Sequence, residues 1–170
     1  MTIILGIDPG TRSTGYGVVE DDSGRLTLVD CGALTTSSGS PIGERLSYLY
    51  HRLLEITARY HPEAVAVEQP FVAKNVRSAL AIGRAQAIAI LAAADNGVPI
   101  YEYTPSQIKR TIANYGASSK KQVQEMVKLQ LGLATPPEPS DAADALAVAI
   151  CHLHEVHLSN LIRRQSQEDR

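Results

Sequence analysis

The run Ala64-Val65-Ala66-Val67 has no polar–apolar alternation and stops abruptly at Glu68. A strand with one wet face alternates, so a short run that is apolar at every position fits a central strand covered on both faces. That constraint points to an α/β architecture with helices packed on both sides of a sheet. Ile3-Ile4-Leu5-Gly6-Ile7 repeats the pattern near the N-terminus and stops just as abruptly, at Asp8. With one Phe and no Trp in 170 residues, the core has to be built from Ala, Leu, Ile and Val. This length suits a single domain.

The remaining elements follow from periodicity and punctuation. After the run over residues 2–8, Pro9-Gly10 and Gly15-Tyr16-Gly17 read as turn signals before a strand over 16–20, and 26–34 gives a third strand of an antiparallel meander. Ile42, Leu46, Leu49, Leu53 and Ile56 recur at helical spacing, which predicts an amphipathic helix over 41–60. A strand over 63–68 is followed by an alanine-rich helix over 75–96, closed by Asn96-Gly97. A short strand over 98–103 precedes helices capped by Thr104 and by Ser118-Ser119. Ser140 is expected to cap the last helix, running to about Leu158, and 159–170 reads as a polar, frayed tail beyond a single domain over 1–158.

Cys31 and Cys151 show no CxxC or Cys/His spacing, and the N-terminus has no signal-type segment, which fits a reducing cytoplasm. Arg84 and Gln86 interrupt the longest apolar helix, so no membrane span is expected.

Asp8 and Glu68 belong with a second pair of acids. Asp141 and Asp144 are three residues apart on the last helix, roughly 60° apart around its axis, and can reach a common point. A carboxylate at the edge of a buried strand loses hydration worth several kcal/mol unless it is paired or ligates a cation. Local explanations exist for some of these acids: Asp8 precedes a Pro-Gly turn, and first-turn acids suit a helix dipole. Glu68, followed by Gln69-Pro70, has neither role. Hard carboxylate oxygens suit Mg²⁺ or Mn²⁺, and the lack of His or Cys at ligand spacing argues against zinc. His152, His154 and His157 read as surface or partly packed side chains.

The net charge of −2 hides a segregation. Between Lys74 and Lys128 eight basic residues face three acids, giving +5 and leaving −7 elsewhere. A basic stretch beside an acidic cluster fits phosphate binding next to a metal site, although solvated helix faces also segregate charge.

Taken together, Ile7-Asp8-Pro9-Gly10 with Gly15-Tyr16-Gly17, Val67-Glu68-Gln69 with Phe71 and Ala73-Lys74-Asn75, and Asp141-Ala142-Ala143-Asp144-Ala145-Leu146-Ala147 resemble the RuvC family of Holliday junction resolvases, in order and through about residue 157. The resemblance implies a ribonuclease H-like fold: a mixed five-stranded sheet, three antiparallel strands followed by parallel additions, flanked by helices. It implies a homodimer, formed through the 75–96 helix, that cuts two symmetry-related strands of four-way junction DNA with two Mg²⁺ per active site, Mn²⁺ being a plausible substitute. A branch-migration motor complex is the implied further partner. Asp8, Glu68, Asp141 and Asp144 then correspond to the catalytic, metal-binding acids. Lys109 and Lys120 correspond to DNA contacts near the scissile phosphate, with Lys121 an alternative to Lys120, and Phe71 to an aromatic that stacks on junction bases. Lys74 and Arg77 join these as candidate DNA-binding residues of the same basic stretch.

Two rivals remain in view. Gly6-Ile7-Asp8-Pro9-Gly10-Thr11 also resembles the phosphate-binding hairpin of actin-like ATPases, but that class needs two such lobes and this chain has one. A noncatalytic junction-binding module would gain by losing acids near the phosphates, and here they are retained.

Overall fold

A computed structural model describes residues 1–70, 76–114, 116 and 118–168, with side chains described through residue 166. Five strands form one sheet in the order β3-β2-β1-β4-β5. The first three, β1 (Thr2–Asp8), β2 (Ser13–Asp22) and β3 (Arg25–Thr35), make the antiparallel meander. β4 (Ala64–Glu68) pairs parallel with β1, and β5 (Ile100–Tyr103) parallel with β4. The mixed sheet expected from the sequence is present, and the two apolar runs lie side by side at its centre.

Helices cover both faces. α1 (Ile42–Tyr60) and α2 (Val76–Asp95) close one core around Leu5, Ile7, Val18, Val65 and Val67. α3 (Pro105–Ala113), α4 (Lys120–Gln130) and α5 (Ser140–Glu168) close the other around Ile4, Val19, Ala64 and Ala66. Successive residues of β1 and β4 thus point to opposite cores, which is why neither strand alternates in polarity. α2 and α5 are each long and apolar enough to cross a bilayer by length and composition, but both contribute residues to these cores.

Local chemistry accounts for most boundaries. Thr104 and Ser119 each form a full capping box, with Gln107 and Gln122 three residues on, and Asn114 closes α3 in the left-handed region. Three expectations change. Gly15 and Gly17 lie inside β2 rather than in a turn. A Cβ on Gly15 would sit 2.0 Å from the Asp141 carbonyl oxygen, and one on Gly17 2.6 Å from Leu146 Cγ. They are there to let α5 press onto the strand. Ser140 is the first residue of α5 rather than its cap: the Pro139 carbonyl accepts from the Ala142 and Ala143 amides, and the Ser140 hydroxyl accepts from Gln124. The expected frayed tail is helical to Glu168, with Leu158, Leu161 and Ile162 exposed along it.

Candidate metal centre

Strand parity determines which side chains meet. On β1, residues 4, 6 and 8 face α5; on β4, residues 64, 66 and 68 do. The two strands are parallel and in register, Ile7 opposite Val67, so Asp8 and Glu68 emerge together at one sheet end on the α5 side. α5 begins above that end. With Gly15 and Gly17 beneath it, its first turn brings Asp141 and Asp144 over the same point. Three elements far apart in sequence thereby deliver acids to one place.

Carboxylate oxygens of Asp8, Asp141 and Asp144 lie within 4.8 Å of one another. Glu68 is not in that tight set; it lines, with Asp8 and Asp144, an adjoining cavity of about 280 Å³. Lys109 and Lys120 line the same cavity, and Lys120 Nζ is 2.5 Å from Asp144 Oδ2. Lys121 instead lines a separate recess with Ser119 and Glu125. The adjacent lysines Lys120 and Lys121 are thus divided between two cavities. Arg77 is exposed in the first turn of α2 and does not line the carboxylate cavity. Phe71 and Lys74 lie outside the described residues.

The electrostatics are those of crowded, buried acids. Burial, then the charges of Glu68, Asp144 and Asp141, push Asp8 from 3.8 up to about 8, with Lys120 opposing. Burial and Asp144 push Glu68 up to about 7 against Lys109 and Lys120. Asp144 is raised as well, by burial, although Lys120 pulls it down. Two lysines, Lys109 and Lys120, do not neutralise four clustered acids. A divalent cation with oxygen ligands fits this donor set, which contains no nitrogen or sulfur donor.

Other contacts here are not evident in the sequence. Ser13, at the start of β2, donates its hydroxyl to Asp141 Oδ2 at 2.5 Å. Its parity with Gly15 and Gly17 is the one sequence signal that would have put it on the α5 side. Farther along the same face, the buried His152 of α5 shares a 2.7 Å hydrogen bond with the Tyr103 hydroxyl, tying α5 to β5 beside Glu68.

Comparison with known proteins agrees with this geometry. A family model described as "Crossover junction endodeoxyribonuclease RuvC" matches residues 4–152. A protein of that name from Chloroflexus aggregans is 56% identical over 150 residues, covering 88% of this chain and 92% of its own. One from Dehalococcoides mccartyi is 54% identical over 159 residues, covering 94% and 95%. The solved structure of Thermus thermophilus RuvC in complex with Holliday junction substrate superposes with a TM-score of 0.88 at 37% identity, covering 94% of this chain and 97% of that one.

Proposed function

The chain belongs to the RuvC family of crossover junction endodeoxyribonucleases, and on that premise we propose that its four acids form the Mg²⁺-dependent catalytic site of a Holliday junction resolvase. The protein is a structure-selective DNA endonuclease of recombination and repair with a ribonuclease H-like fold. The observation that carries the site assignment is the convergence of four acids: Asp8, Glu68 and Asp144, each at raised proton affinity, line one cavity with Lys109 and Lys120, and Asp141 meets Asp8 and Asp144 beside it.

Asp8, Glu68, Asp141 and Asp144 are the residues that would hold two Mg²⁺. Ions bound there would supply the Lewis acidity to activate a water and to offset charge on the leaving 3′ oxygen, chemistry that yields a 5′-phosphate and a 3′-hydroxyl. The chain's own side chains do the rest. Burial and mutual repulsion raise the proton affinity of Asp8 and Glu68, so cation entry near neutral pH is coupled to proton release from this pair. Lys109 and Lys120 give the cavity wall positive charge toward a phosphate. Ile108, Val123 and Ala147 line the remaining wall and keep it apolar.

A homodimer through α2 supplies a second, symmetry-related site for the paired cut. Exposed Val76, Leu80 and Leu91 on that helix support it. Phe71 stacks at the junction, Lys74 and Arg77 add to the basic approach, and a branch-migration motor presents the junction in the cytoplasm.

The test is a labelled four-way junction and a matched linear duplex, incubated with Mg²⁺, with Mn²⁺ and with Ca²⁺. Paired nicks in the junction alone, lost in Asp8→Asn while junction binding persists, are the expected result. Cleavage by Asp8→Asn in Mg²⁺ would remove Asp8 from the metal centre.

A further inference from the structure

Asp8 and Asp141 are linked through the loop between β1 and β2, Pro9-Gly10-Thr11-Arg12, whose Gly10 amide and Gly10, Thr11 and Arg12 carbonyls all have hydrogen-bond partners. The buried Thr14 hydroxyl donates to the Gly10 carbonyl at 2.7 Å and accepts from the Gly10 amide at 3.3 Å. A Cβ on Gly10 would lie 2.3 Å from the Ser13 carbonyl oxygen, so the turn closes this tightly only around glycine. From the opposite side of the sheet, Arg45 of α1 donates to the Thr11 carbonyl through Nη2 at 2.6 Å and through Nε at 3.1 Å. The Thr36 hydroxyl donates to that same carbonyl at 2.7 Å, and the Thr36 amide to the Arg12 carbonyl at 2.9 Å.

The loop ends at Ser13, whose hydroxyl donates to Asp141. By β-strand parity Ser13 faces α5 like Gly15, one step beyond the point where the Asp141 backbone rests. The hydroxyl occupies one carboxylate oxygen and leaves the other without a serine partner. A donor on one oxygen fixes the torsion of the carboxylate, as an outer hydrogen bond does for a metal ligand.

We infer that Ser13 is a positioning residue of the metal centre: fixed in place by the Arg45–Thr36–Thr14 clamp, it holds Asp141 in a metal-ready orientation relative to Asp8. This rests on the metal-centre reading above. It assigns Ser13 no contact with DNA or water and no share in the chemistry. Loss of such an outer donor typically lowers metal affinity by about 10–100-fold.

Mn²⁺ binding to the DNA-free full chain, measured by titration calorimetry at pH 8, separates the possibilities, with thermal melting in chelator as the control for folding. Ser13→Ala should weaken Mn²⁺ binding about 10–100-fold and leave the chelator melt close to wild type. The isosteric pair Ser13→Thr and Ser13→Val separates hydroxyl from volume: Thr should restore affinity and Val should not. If Ser13→Ala and Ser13→Val bind Mn²⁺ as wild type does, or if Thr is as impaired as Val, the inference is overturned. Asp141→Asn distinguishes the two levels of the argument. Wild-type binding that survives this substitution, or no Mn²⁺ binding by wild type at all, overturns the metal reading of Asp141 and the inference with it. Binding lost in Asp141→Asn but intact in Ser13→Val overturns the inference alone.

Discussion

Removing the charge of Asp8 should stabilise the metal-free protein. Asp8 is held at about 8 instead of 3.8, first by burial and then by Glu68, Asp144 and Asp141. Its native form therefore keeps a proton that the unfolded chain releases, and stability falls as pH rises through that window. At about 1.4 kcal/mol per pH unit, the full displacement would amount to about 6 kcal/mol if Asp8 titrated alone. Glu68, itself pushed to about 7, shares the same repulsion. Asp8→Asn at pH 8 should then recover on the order of 2–4 kcal/mol, an increase in Tm of roughly 5–15 °C for a chain of this size. Thermal and urea unfolding in chelator at pH 5 and pH 8 measures it. The wild-type protein should lose stability between those pH values, and the variant should lose less. Added Mg²⁺ should stabilise wild type much more than the variant. A variant no more stable than wild type at pH 8 in chelator would refute the account of Asp8 as a charge buried without sufficient compensation.

Other outcomes follow from neighbouring contacts. Lys120→Ala should weaken junction binding and reduce the magnitude of the log–log salt slope by about one, whereas Lys121→Ala, on a separate recess, should leave Mg²⁺-dependent cleavage of a bound junction unchanged; titration against salt and single-turnover cleavage check the pair. Gly15→Ala forces a Cβ to 2.0 Å from the Asp141 carbonyl oxygen, so denaturant melts should show a loss of about 3 kcal/mol or more. Tyr103→Phe removes the partner of buried His152 and should cost about 1–3 kcal/mol by the same assay.

The fold was largely legible because its cues are local and redundant. Thr104 and Ser119, each with Gln three residues on, announce their helices, and the unbroken apolar runs announce central strands. Gly15 and Gly17 misled because a glycine in a turn and a glycine under a helix look alike until the helix is placed. Ser140 misled for a related reason: the Pro139 carbonyl already starts the helix, and the hydroxyl turns to Gln124 instead. At the site, the acids stood out because each interrupts or opens an apolar segment. Ser13 and Arg45 did not, since a hydroxyl in a turn region and an arginine on an amphipathic helix are unremarkable without their partners, 128 and 34 residues away.

The position of α5 also bears on when the proposed metal centre is assembled during synthesis. Two of the four acids belong to the last helix, which packs across β1, β2 and β4, strands made much earlier. As the ribosome releases the chain from its N-terminus, Asp8 and Glu68 emerge first and stand without their partners for some seventy residues more. Docking of α5 closes one core and completes the carboxylate set in a single event. A nascent or truncated chain lacking it exposes apolar strand surface and has only half of the acids, so the core and the proposed metal centre are completed together.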